Sequence, residues 1–529
     1  MNKMRKNRRE EQVKMLNRVL TGLILACLLM AAAAPAFADD SFSMAQDGFS
    51  TSYTYNYDYW RDVQMSPDAY RVKKVINSMT LGLENLDGLS MKNPESLFVR
   101  DNELYIADTE NNRVLQIHYN GEDFSLVRII SEVKGCDNPA LKKPYDIAVD
   151  ADGNIYVADY GNFRVVMMDK DLNYVKEFVK PTDSTFDQKL DFLPRRIAVD
   201  VAGRVYVLAE NINKGFIKYE SDTSFTGYIG ANKVSVDTWS YIWKRYFQTK
   251  EQRAASESFV PTEYENLYMD KEGFIYATNT VFSEYDLLYD NAKPIRRLNG
   301  IGNDILIKND RYPPIGDMWW IEGSTANGPS KFTDITVLEN DIYVALDKTR
   351  GRMFGYDSQG VMLWAFGTKG NIDGAFTNAA SIEHMGYDLF VLDKLERSVT
   401  VFTPTEYGTM IFDAIDTYVR GNYDASADLW RDVMKMNANY SLAFRGIGRA
   451  LVRQNKFKEA MSYFEKAHDP QNYGRAFKLY RKEWVEKNVW WIILILAAVL
   501  IVPLAIGRVK RMKWEVIEHE RNKVRRIVG

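Results

Sequence analysis

A unit of four short, alternating apolar segments recurs six times along this chain. The clearest copy covers residues 144–179, and Asp152 and Gly153 separate its first two segments, a pair typical of a β-hairpin. Each copy carries an aromatic residue between two apolar ones in its second segment, at Tyr105, Tyr156, Tyr206, Tyr276, Tyr343 and Phe390. These positions lie 51, 50, 70, 67 and 47 residues apart. The pattern predicts a mainly β fold, a six-bladed β-propeller over residues 70–405, because each unit can bury its apolar positions only against its neighbours.

Closure of such a ring requires a strand from elsewhere in the chain. The sixth unit has three segments before helical sequence begins, whereas residues 70–76 alternate as the outer segments 174–179 and 361–366 do. We therefore predict that residues 70–76 complete the last blade. Before them, within the tyrosine-rich residues 39–69, aromatic side chains alternate over residues 52–60. This alternation predicts a strand laid on the propeller, with a bare linker as the alternative.

An Asp and an Arg follow the second segment in four of the units, as Asp108 with Arg113, Asp159 with Arg164, Asp347 with Arg350 and Asp393 with Arg397. The third unit lacks the Asp and the fourth lacks the Arg. Together with Asn111 and Asn162 in the first two turns, this pattern resembles the NHL-repeat family over residues 70–405. The resemblance implies a propeller in which the Asp and Arg pin the turn after the second strand. It implies little about activity, because NHL propellers serve many functions.

Both ends of the chain carry targeting patterns. Basic residues 3–18, an apolar run and the small residues Ala36 and Ala38 predict a signal peptide over residues 1–38, with an uncleaved anchor as the alternative. Residues 489–507 hold 19 residues without a charge, close to the roughly 20 that a membrane-spanning helix needs. A basic tail, 508–529, follows directly. The positive-inside rule therefore predicts a single-pass cell-membrane protein with residues 39–488 outside, a juxtamembrane helix over 473–488 and a cytoplasmic C-terminus.

The net charge of −3 conceals a division of charge along the chain. Residues 1–38 and 508–529 carry +5 each, which leaves −13 for the residues between them. An acidic ectodomain argues against nucleic acid and anionic envelope polymers as partners, and favours cationic or neutral ligands. Cys136 is the one cysteine outside the signal peptide, so the mature chain cannot form an internal disulfide.

After residue 405 the apolar period becomes helical. Residues of matching size recur 34 positions apart, as Tyr423 with Phe457, Trp430 with Phe464, Val433 with Ala467 and Ala414 with Gly448. This is the period of the tetratricopeptide repeat, and residues 406–472 are therefore predicted to form a small helical pair that resembles that family. Since fewer than three repeats rarely stand alone, the pair is expected to pack on the propeller or on the helix that leads to the membrane.

Catalytic and metal-binding motifs are missing from the sequence. The four histidines, His118, His384, His468 and His519, do not pair at metal-ligand spacing, and no nucleophile elbow, zinc motif or phosphate loop occurs. We therefore predict no catalytic residue, no metal and no cofactor.

The mouth of the propeller channel is the first candidate binding site. The residues that begin the six innermost strands are Ser96, Asp146, Arg196, Asn266, Asp334 and Ser381. Such a polar ring suits a small polar ligand or a cation, and a water-filled structural channel is the alternative. Lactonases of related six-bladed shape hold calcium in a ring of this kind, which here would use Asp146, Asn266 and Asp334, although Arg196 adds a positive charge.

Two insertions interrupt the blade spacing and form the second candidate site. The insertion near 231–260 contains Trp239 and Trp243, and that near 309–330 contains Trp319 and Trp320. Exposed tryptophans stack on sugar rings or anchor protein partners, whereas buried ones would only attach the insertions to the propeller.

These patterns predict an extracytoplasmic binding or scaffold protein rather than an enzyme. The propeller and the helical pair are expected to bind a protein partner in the cell envelope, as part of an envelope or transport complex. A carbohydrate- or small-ligand-binding propeller and a calcium-dependent, lactonase-like hydrolase are the two alternatives.

Overall fold

The computed structural model describes residues 54–528 except 61, 84–88, 231–263, 289–291, 309–312, 319–327 and 371. Six antiparallel sheets surround a central channel, and a helical region follows them. The predicted mainly β, six-bladed propeller is therefore confirmed. The predicted signal peptide, 1–38, lies outside the described residues.

The first three blades each contain four strands that are consecutive in the chain. Three strands precede them: β1 (Tyr55–Tyr57), β2 (Val63–Met65) and β3 (Tyr70–Ile76). Blade one contains β4 (Ser96–Arg100), β5 (Glu103–Asp108), β6 (Arg113–Tyr119) and β7 (Phe124–Ile130). Blade two contains β8 (Pro144–Val149), β9 (Ile155–Asp159), β10 (Arg164–Met168) and β11 (Tyr174–Phe178). Blade three contains β12 (Pro194–Val199), β13 (Val205–Ala209), β14 (Phe216–Tyr219) and β15 (Phe225–Ile229).

The second half of the ring is less regular. Blade four has three described strands, β16 (Tyr264–Met269), β17 (Ile275–Asn279) and β18 (Ile295–Leu298), with the short helix α1 (Glu284–Leu288) between the last two. Blade five contains β19 (Phe332–Val337), β20 (Tyr343–Asp347), β21 (Arg352–Tyr356) and β22 (Met362–Phe366). A small parallel pair follows, β23 (Thr368–Lys369) and β24 (Ala375–Phe376). Blade six contains β25 (Ala379–Met385), β26 (Asp388–Asp393) and β27 (Ser398–Pro404).

The recurring aromatic residue of each second strand explains how the blades hold together. Tyr276 of blade four and Tyr343 of blade five are both buried, and their ring centroids lie 5.7 Å apart across the blade interface. Tyr156 of blade two packs in the same core as Ile197 of blade three. Because the blades stack face to face, their second strands are buried on both faces, and a large side chain fills the widening gap between neighbours.

The hairpin between the first two strands of a blade forms as the Asp-Gly signal predicts. In blade two, one carboxylate oxygen of Asp150 accepts the backbone N–H groups of Asp152 at 3.0 Å and Asn154 at 2.9 Å. Gly153 has a φ of +83°, a left-handed conformation that glycine adopts without a steric penalty. The side chain and the glycine therefore fix the tight turn together.

The N-terminal strand β3 closes the ring. It pairs antiparallel with β27 from Ile76 opposite Val399 to Tyr70 opposite Pro404, and so becomes the outer strand of blade six. The prediction that residues 70–76 complete the last blade is confirmed.

The tyrosine-rich segment also forms a strand. β1 pairs with the outer strand β22 of blade five, and β2 pairs with β1, so this sheet has six strands. The hydroxyl groups of Tyr55 and Tyr57 both donate to the buried carboxylate of Asp317, which also pairs with Arg352 at 2.6 Å. Burial raises the pKa of Asp317, but Arg352 and Arg350 outweigh it and hold that pKa below its usual range. The strand prediction for this segment is therefore confirmed, and the linker alternative is wrong for residues 55–57.

The Asp–Arg motif fixes the turn after the second strand, as the family resemblance implied. Arg113 lies 2.7 Å from Asp108 and Arg164 lies 2.9 Å from Asp159, and both pairs are buried. Each Asp also accepts a backbone N–H from the loop that enters its blade, Lys92 for blade one and Lys142 for blade two, both at 2.7 Å.

Blades five and six depart from the predicted pairing. The strand register places Arg352, not Arg350, opposite Asp347, and Ser398, not Arg397, opposite Asp393. Arg350 still lies 3.6 Å from Asp347, but Arg352 turns to Asp317. In blade five, Arg352 therefore pairs with Asp317, which binds the tyrosines of β1, instead of with Asp347.

The helical region follows blade six directly. Its helices are α2 (Glu406–Val419), α3 (Tyr423–Met436), α4 (Ser441–Arg453), α5 (Phe457–Lys466) and α6 (Pro470–Val528). Consecutive helices pack against each other, and two glycines allow the close contacts, because a Cβ would lie 2.4 Å from the Trp430 ring at Gly446 and 2.6 Å from the Phe464 ring at Gly448. We call α2–α5 the helical unit; its two helix–turn–helix pairs agree with the predicted tetratricopeptide-like arrangement.

The helical unit shares a hydrophobic core with the propeller. Tyr387 of blade six stacks on Phe412 of α2 with ring centroids 4.3 Å apart, and the Tyr440 hydroxyl donates to the Leu363 carbonyl of blade five at 2.8 Å. At Gly408 a Cβ would lie 2.2 Å from the carbonyl oxygen of Ala69, which directly precedes β3. We call Ala69 and β3 the closing segment, and α2 contacts it without space for a side chain. The propeller and the helical unit therefore pack as one body.

The last helix, α6, is continuous from Pro470 to Val528, with Pro503 inside it. The predicted juxtamembrane, membrane-spanning and tail segments thus lie on one helix that begins three residues before the predicted position, 473. Among the described residues, it is the helix long and apolar enough to cross a membrane, with a mean hydropathy of 2.9 over its most apolar window. Trp490 and Trp491 lie exposed where that apolar stretch begins.

Candidate functional site

The six predicted ring residues occupy equivalent positions near the start of the innermost strands. They are all buried and lie on β4, β8, β12, β16, β19 and β25, which contact one another around the channel. In five of the six blades the pairing between the first two strands shifts register at this point. Such a bulge re-aims a side chain, and it places the ring residues toward the channel rather than into the sheet.

Hydrogen bonds between blades occupy much of this ring. Asp146 of blade two accepts the backbone N–H of Ile197 in blade three at 2.8 Å. Asp334 of blade five accepts the Ser381 hydroxyl at 2.6 Å and the Ile382 N–H at 2.7 Å, both in blade six. The Ser381 hydroxyl in turn accepts the Leu97 N–H of blade one at 3.2 Å.

Asn266 extends the same chain of contacts. Its amide group donates to Asp334, and its side-chain oxygen accepts the backbone N–H of Leu267 at 2.7 Å. The ring residues therefore join neighbouring inner strands, blade to blade.

Arg196 lies across part of the channel mouth. Its guanidinium group donates to the Tyr145 carbonyl of blade two at 3.4 Å and to the Glu95 carbonyl of blade one at 3.3 Å. Burial raises the pKa of Asp146, and the positive charge of Arg196 opposes that rise. The mouth thus already contains a buried cation.

These contacts bear on calcium binding. Burial raises the pKa of Asp334 to about 6, although its bonds from Ser381 and Ile382 oppose the rise. Asp146 and Asp334 both direct oxygens at backbone amides, and Asn266 donates rather than offers an oxygen to Asp334. Calcium prefers six to eight oxygen ligands around one point. The ring geometry therefore favours a structural function for these residues over a calcium site.

One group of three carboxylates does converge among the residues that the structure describes. Asp270, Glu272 and Asp341 place oxygens within 4.8 Å of one another. The guanidinium Nη2 of Arg297 already lies 2.8 Å from Asp270, 3.0 Å from Glu272 and 3.2 Å from Asp341. This cluster is therefore an ion-pair network centred on Arg297.

A cavity of about 530 Å³ lies in the channel, and Glu383 and His384 line it together with five of the six ring residues. Glu383 lies two residues after Ser381 on β25, so it points to the same side of the strand. Burial and the nearby Asp334 raise the pKa of Glu383 well above its usual range. Burial also lowers the pKa of His384 to about 4, and its Nδ1 lies 2.7 Å from the Thr336 hydroxyl. The period of two along β25 was the signal that could have identified Glu383.

The second candidate site cannot be placed. Trp239, Trp243, Trp319 and Trp320 lie outside the described residues. Sugar stacking by these side chains therefore stays a prediction.

A larger cleft, of about 1270 Å³, lies between blade five and the helical unit. It is lined by β1, the β21–β22 turn, α4 and the start of α6. The sequence did not predict this cleft, because its walls come from segments more than 300 residues apart that only the tertiary structure brings together.

Comparisons with known proteins agree with the fold. The NHL repeat model matches residues 141–166, which contain β8, β9 and the beginning of β10 in blade two. The NHL repeat-containing protein 3 of Mus musculus is 31% identical over 142 residues, covering 24% of this chain and 39% of that protein. The Homo sapiens protein of the same name is 32% identical over 91 residues, covering 16% of this chain and 25% of that protein. The chain thus contains an NHL repeat within a six-bladed propeller, and its match spans well under half of these relatives.

Solved structures are similar at a lower level. A virginiamycin B lyase from Staphylococcus aureus has a TM-score of 0.38 and 12% identity, over 63% of this chain and 99% of that one. The hydrazine synthase of Kuenenia stuttgartiensis has a TM-score of 0.36 and 11% identity, over 60% of this chain and 96% of that one. Similarities of this size say nothing about the activity of this protein.

Proposed function

We propose that this protein is a membrane-anchored, extracytoplasmic scaffold that binds a protein partner in the cell envelope. The observation that carries the proposal is the shared core between blades five and six and the helical unit, which makes two binding folds into one platform. Propellers and helical repeats both commonly bind proteins through their loops and concave faces.

The long helix supports the anchored topology. Its apolar residues 489–507 are exposed over most of their surface, which no soluble helix of this length tolerates in water without a partner. The basic tail beyond it and the N-terminal signal pattern together favour a platform held outside the membrane, a short distance above its surface.

The two alternatives have less support from the described residues. Carbohydrate binding depends on the insertion tryptophans, whose positions are not described. A calcium-dependent hydrolase depends on ring oxygens that already accept backbone hydrogen bonds.

Photo-crosslinking in intact cells tests the scaffold proposal. A photoreactive residue at exposed Val201 of the propeller or exposed Trp60 beside the helical unit is expected to capture a discrete partner protein. The same residue at Glu520, in the tail, should not capture that protein. Failure of both exposed positions to capture any protein at native expression would contradict the scaffold.

A further inference from the structure

The cleft between blade five and the helical unit has a positively charged wall. Arg445, Arg449 and Arg453 all line it and follow one another at four-residue intervals along α4. Residues four apart lie on the same face of a helix, and each step advances about 6 Å along its axis. The three guanidinium groups therefore form a ladder along one side of the cleft, which we call the arginine ladder.

The carboxylates inside the cleft do not balance this charge. Four arginines and Lys308 line it, against Asp58, Asp357 and Asp469. The surplus is local, because charges farther away than a Debye length of about 8 Å are largely screened at physiological salt. The acidic character of the ectodomain as a whole therefore does not determine what this cleft attracts.

The arginines differ in how fully they are paired. Arg445 lies 2.8 Å from the buried Asp469 carboxylate, whereas Arg449 lies 3.9 Å from Asp357. Arg453 donates to the Tyr418 hydroxyl at 3.4 Å, and no carboxylate among the described residues lies within ion-pair distance of it. A cation in the last turn of a helix stabilises that helix, which accounts for Arg453 alone and not for three arginines on one face.

Aromatic side chains, Tyr59 and His468 among them, also line the cleft. The His468 ring lies 4.9 Å from Tyr59 and 5.0 Å from Trp60, and Trp60 is 63% exposed. The β1–β2 hairpin thus contacts the helical unit at His468, and Trp60 stays exposed there. Such an arrangement suits a peptide backbone with acidic side chains on one side.

We propose that the arginine ladder binds an extended acidic segment of a partner protein, an inference that rests on the proposed scaffold function. Alternate side chains of an extended chain lie about 6.6–6.8 Å apart on one face, close to the 6 Å step of the ladder. Carboxylates at every second position of the segment pair with Arg449 and Arg453, while Arg445 stays on Asp469 and fixes the wall. The cleft volume of about 1270 Å³ exceeds that of a small-ligand pocket and accommodates several residues.

Fluorescence anisotropy with the detergent-extracted full chain tests this proposal. The probe is a labelled peptide that alternates serine and glutamate, and its counterpart alternates serine and glutamine. We expect saturable binding of the glutamate peptide that weakens with salt, and at least about tenfold weaker binding of the glutamine peptide. The double variant Arg449→Gln/Arg453→Gln should lose at least about tenfold in affinity for the glutamate peptide, because two charge-assisted pairs are removed.

The matched control is Arg420→Gln, which removes a positive charge directly after α2, outside the cleft, and should bind as the wild type does. Equal affinity of the double variant and the wild type, or equal affinity for the two peptides, would overturn the proposal. Binding of inorganic polyphosphate without binding of the peptide would also overturn it, in favour of a non-peptide polyanion. If crosslinking at Val201 captures a partner while the peptide does not bind, the scaffold stands and the acidic-segment proposal alone fails.

Discussion

Burial shifts the pKa values of individual carboxyl groups in the channel of this protein. Asp334 and Glu383 face the same channel, and burial raises the pKa of both, to about 6 for Asp334 and well above the usual range for Glu383. A carboxyl group whose pKa is higher in the folded than in the unfolded chain stabilises the fold below its unfolded pKa, and that contribution is lost as the pH rises. Ionisation of these two carboxyl groups therefore weakens the folded channel, for Asp334 already as the pH rises toward about 6.

Glu383→Gln is expected to stabilise the protein at pH 8 and to have little effect near pH 4. Glutamine replaces the protonated form, so the gain should grow as the pH rises above the unfolded pKa of about 4.3. Urea unfolding of the full chain at both pH values measures it. The exposed Glu122→Gln is the control and should show no such trend. A constant difference at both pH values would contradict the raised pKa of Glu383.

Gly408→Ala is expected to destabilise the protein by about 1–3 kcal/mol, because its Cβ would lie 2.2 Å from the Ala69 carbonyl oxygen. Gly474→Ala, also in a helix, has no atom within 4 Å of the added Cβ and should be neutral or stabilising by roughly 0.5–1 kcal/mol. Chemical unfolding of both variants measures the two effects. If the two alanines behave alike, α2 does not contact the closing segment this closely.

Elements from distant parts of the sequence complete one another in this fold. β3 supplies the outer strand of blade six, and β1 and β2 extend blade five. The alternation in residues 70–76 predicted the first of these pairings, because an unfinished blade needs a strand of that kind. The partner of β1 could not be predicted, since any outer strand of the ring presents similar backbone groups. Asp317, from an insertion, selects blade five by binding both tyrosine hydroxyls.

Removal of β3 is expected to prevent closure of the ring. A mature chain that begins at residue 78 should unfold without a cooperative transition and be cut rapidly by protease, because blade six loses its outer strand. A mature chain that begins at residue 66 loses β1 and β2 but keeps β3, and should still unfold cooperatively. Circular dichroism and limited proteolysis compare the two chains. Cooperative unfolding of the shorter chain would mean that the ring closes without β3.

At the scale of the whole molecule, one rigid platform is carried on one long helix. The propeller and the helical unit share a core, and α6 extends from that core through the apolar segment into the basic tail. This continuity leaves no flexible linker between the start of α6 and the apolar segment within the described residues. The orientation of the platform above a membrane would therefore be restricted by the helix itself.

Cysteine labelling in intact cells is expected to report the proposed topology. In a Cys136→Ala background, a membrane-impermeant maleimide should label Glu122→Cys in the propeller and not Glu520→Cys in the tail. Permeabilised cells should label both. Labelling of Glu520→Cys in intact cells would place the tail outside and contradict the anchored orientation.

The sequence alone determined the number of blades, the ring closure and the long apolar helix. Each has a local signal in the sequence: the blade repeat, the alternation of a strand, or an uninterrupted apolar run. It also identified the ring residues Asp146, Asn266 and Asp334, since they occupy equivalent positions in repeated units. Their function could not be read from that alignment, because hydrogen bonds between blades depend on which backbone amide the bulged strand presents. Only the tertiary structure brought α4, the β21–β22 turn and the β1–β2 hairpin around one cleft, because contacts between segments hundreds of residues apart leave no period in the sequence.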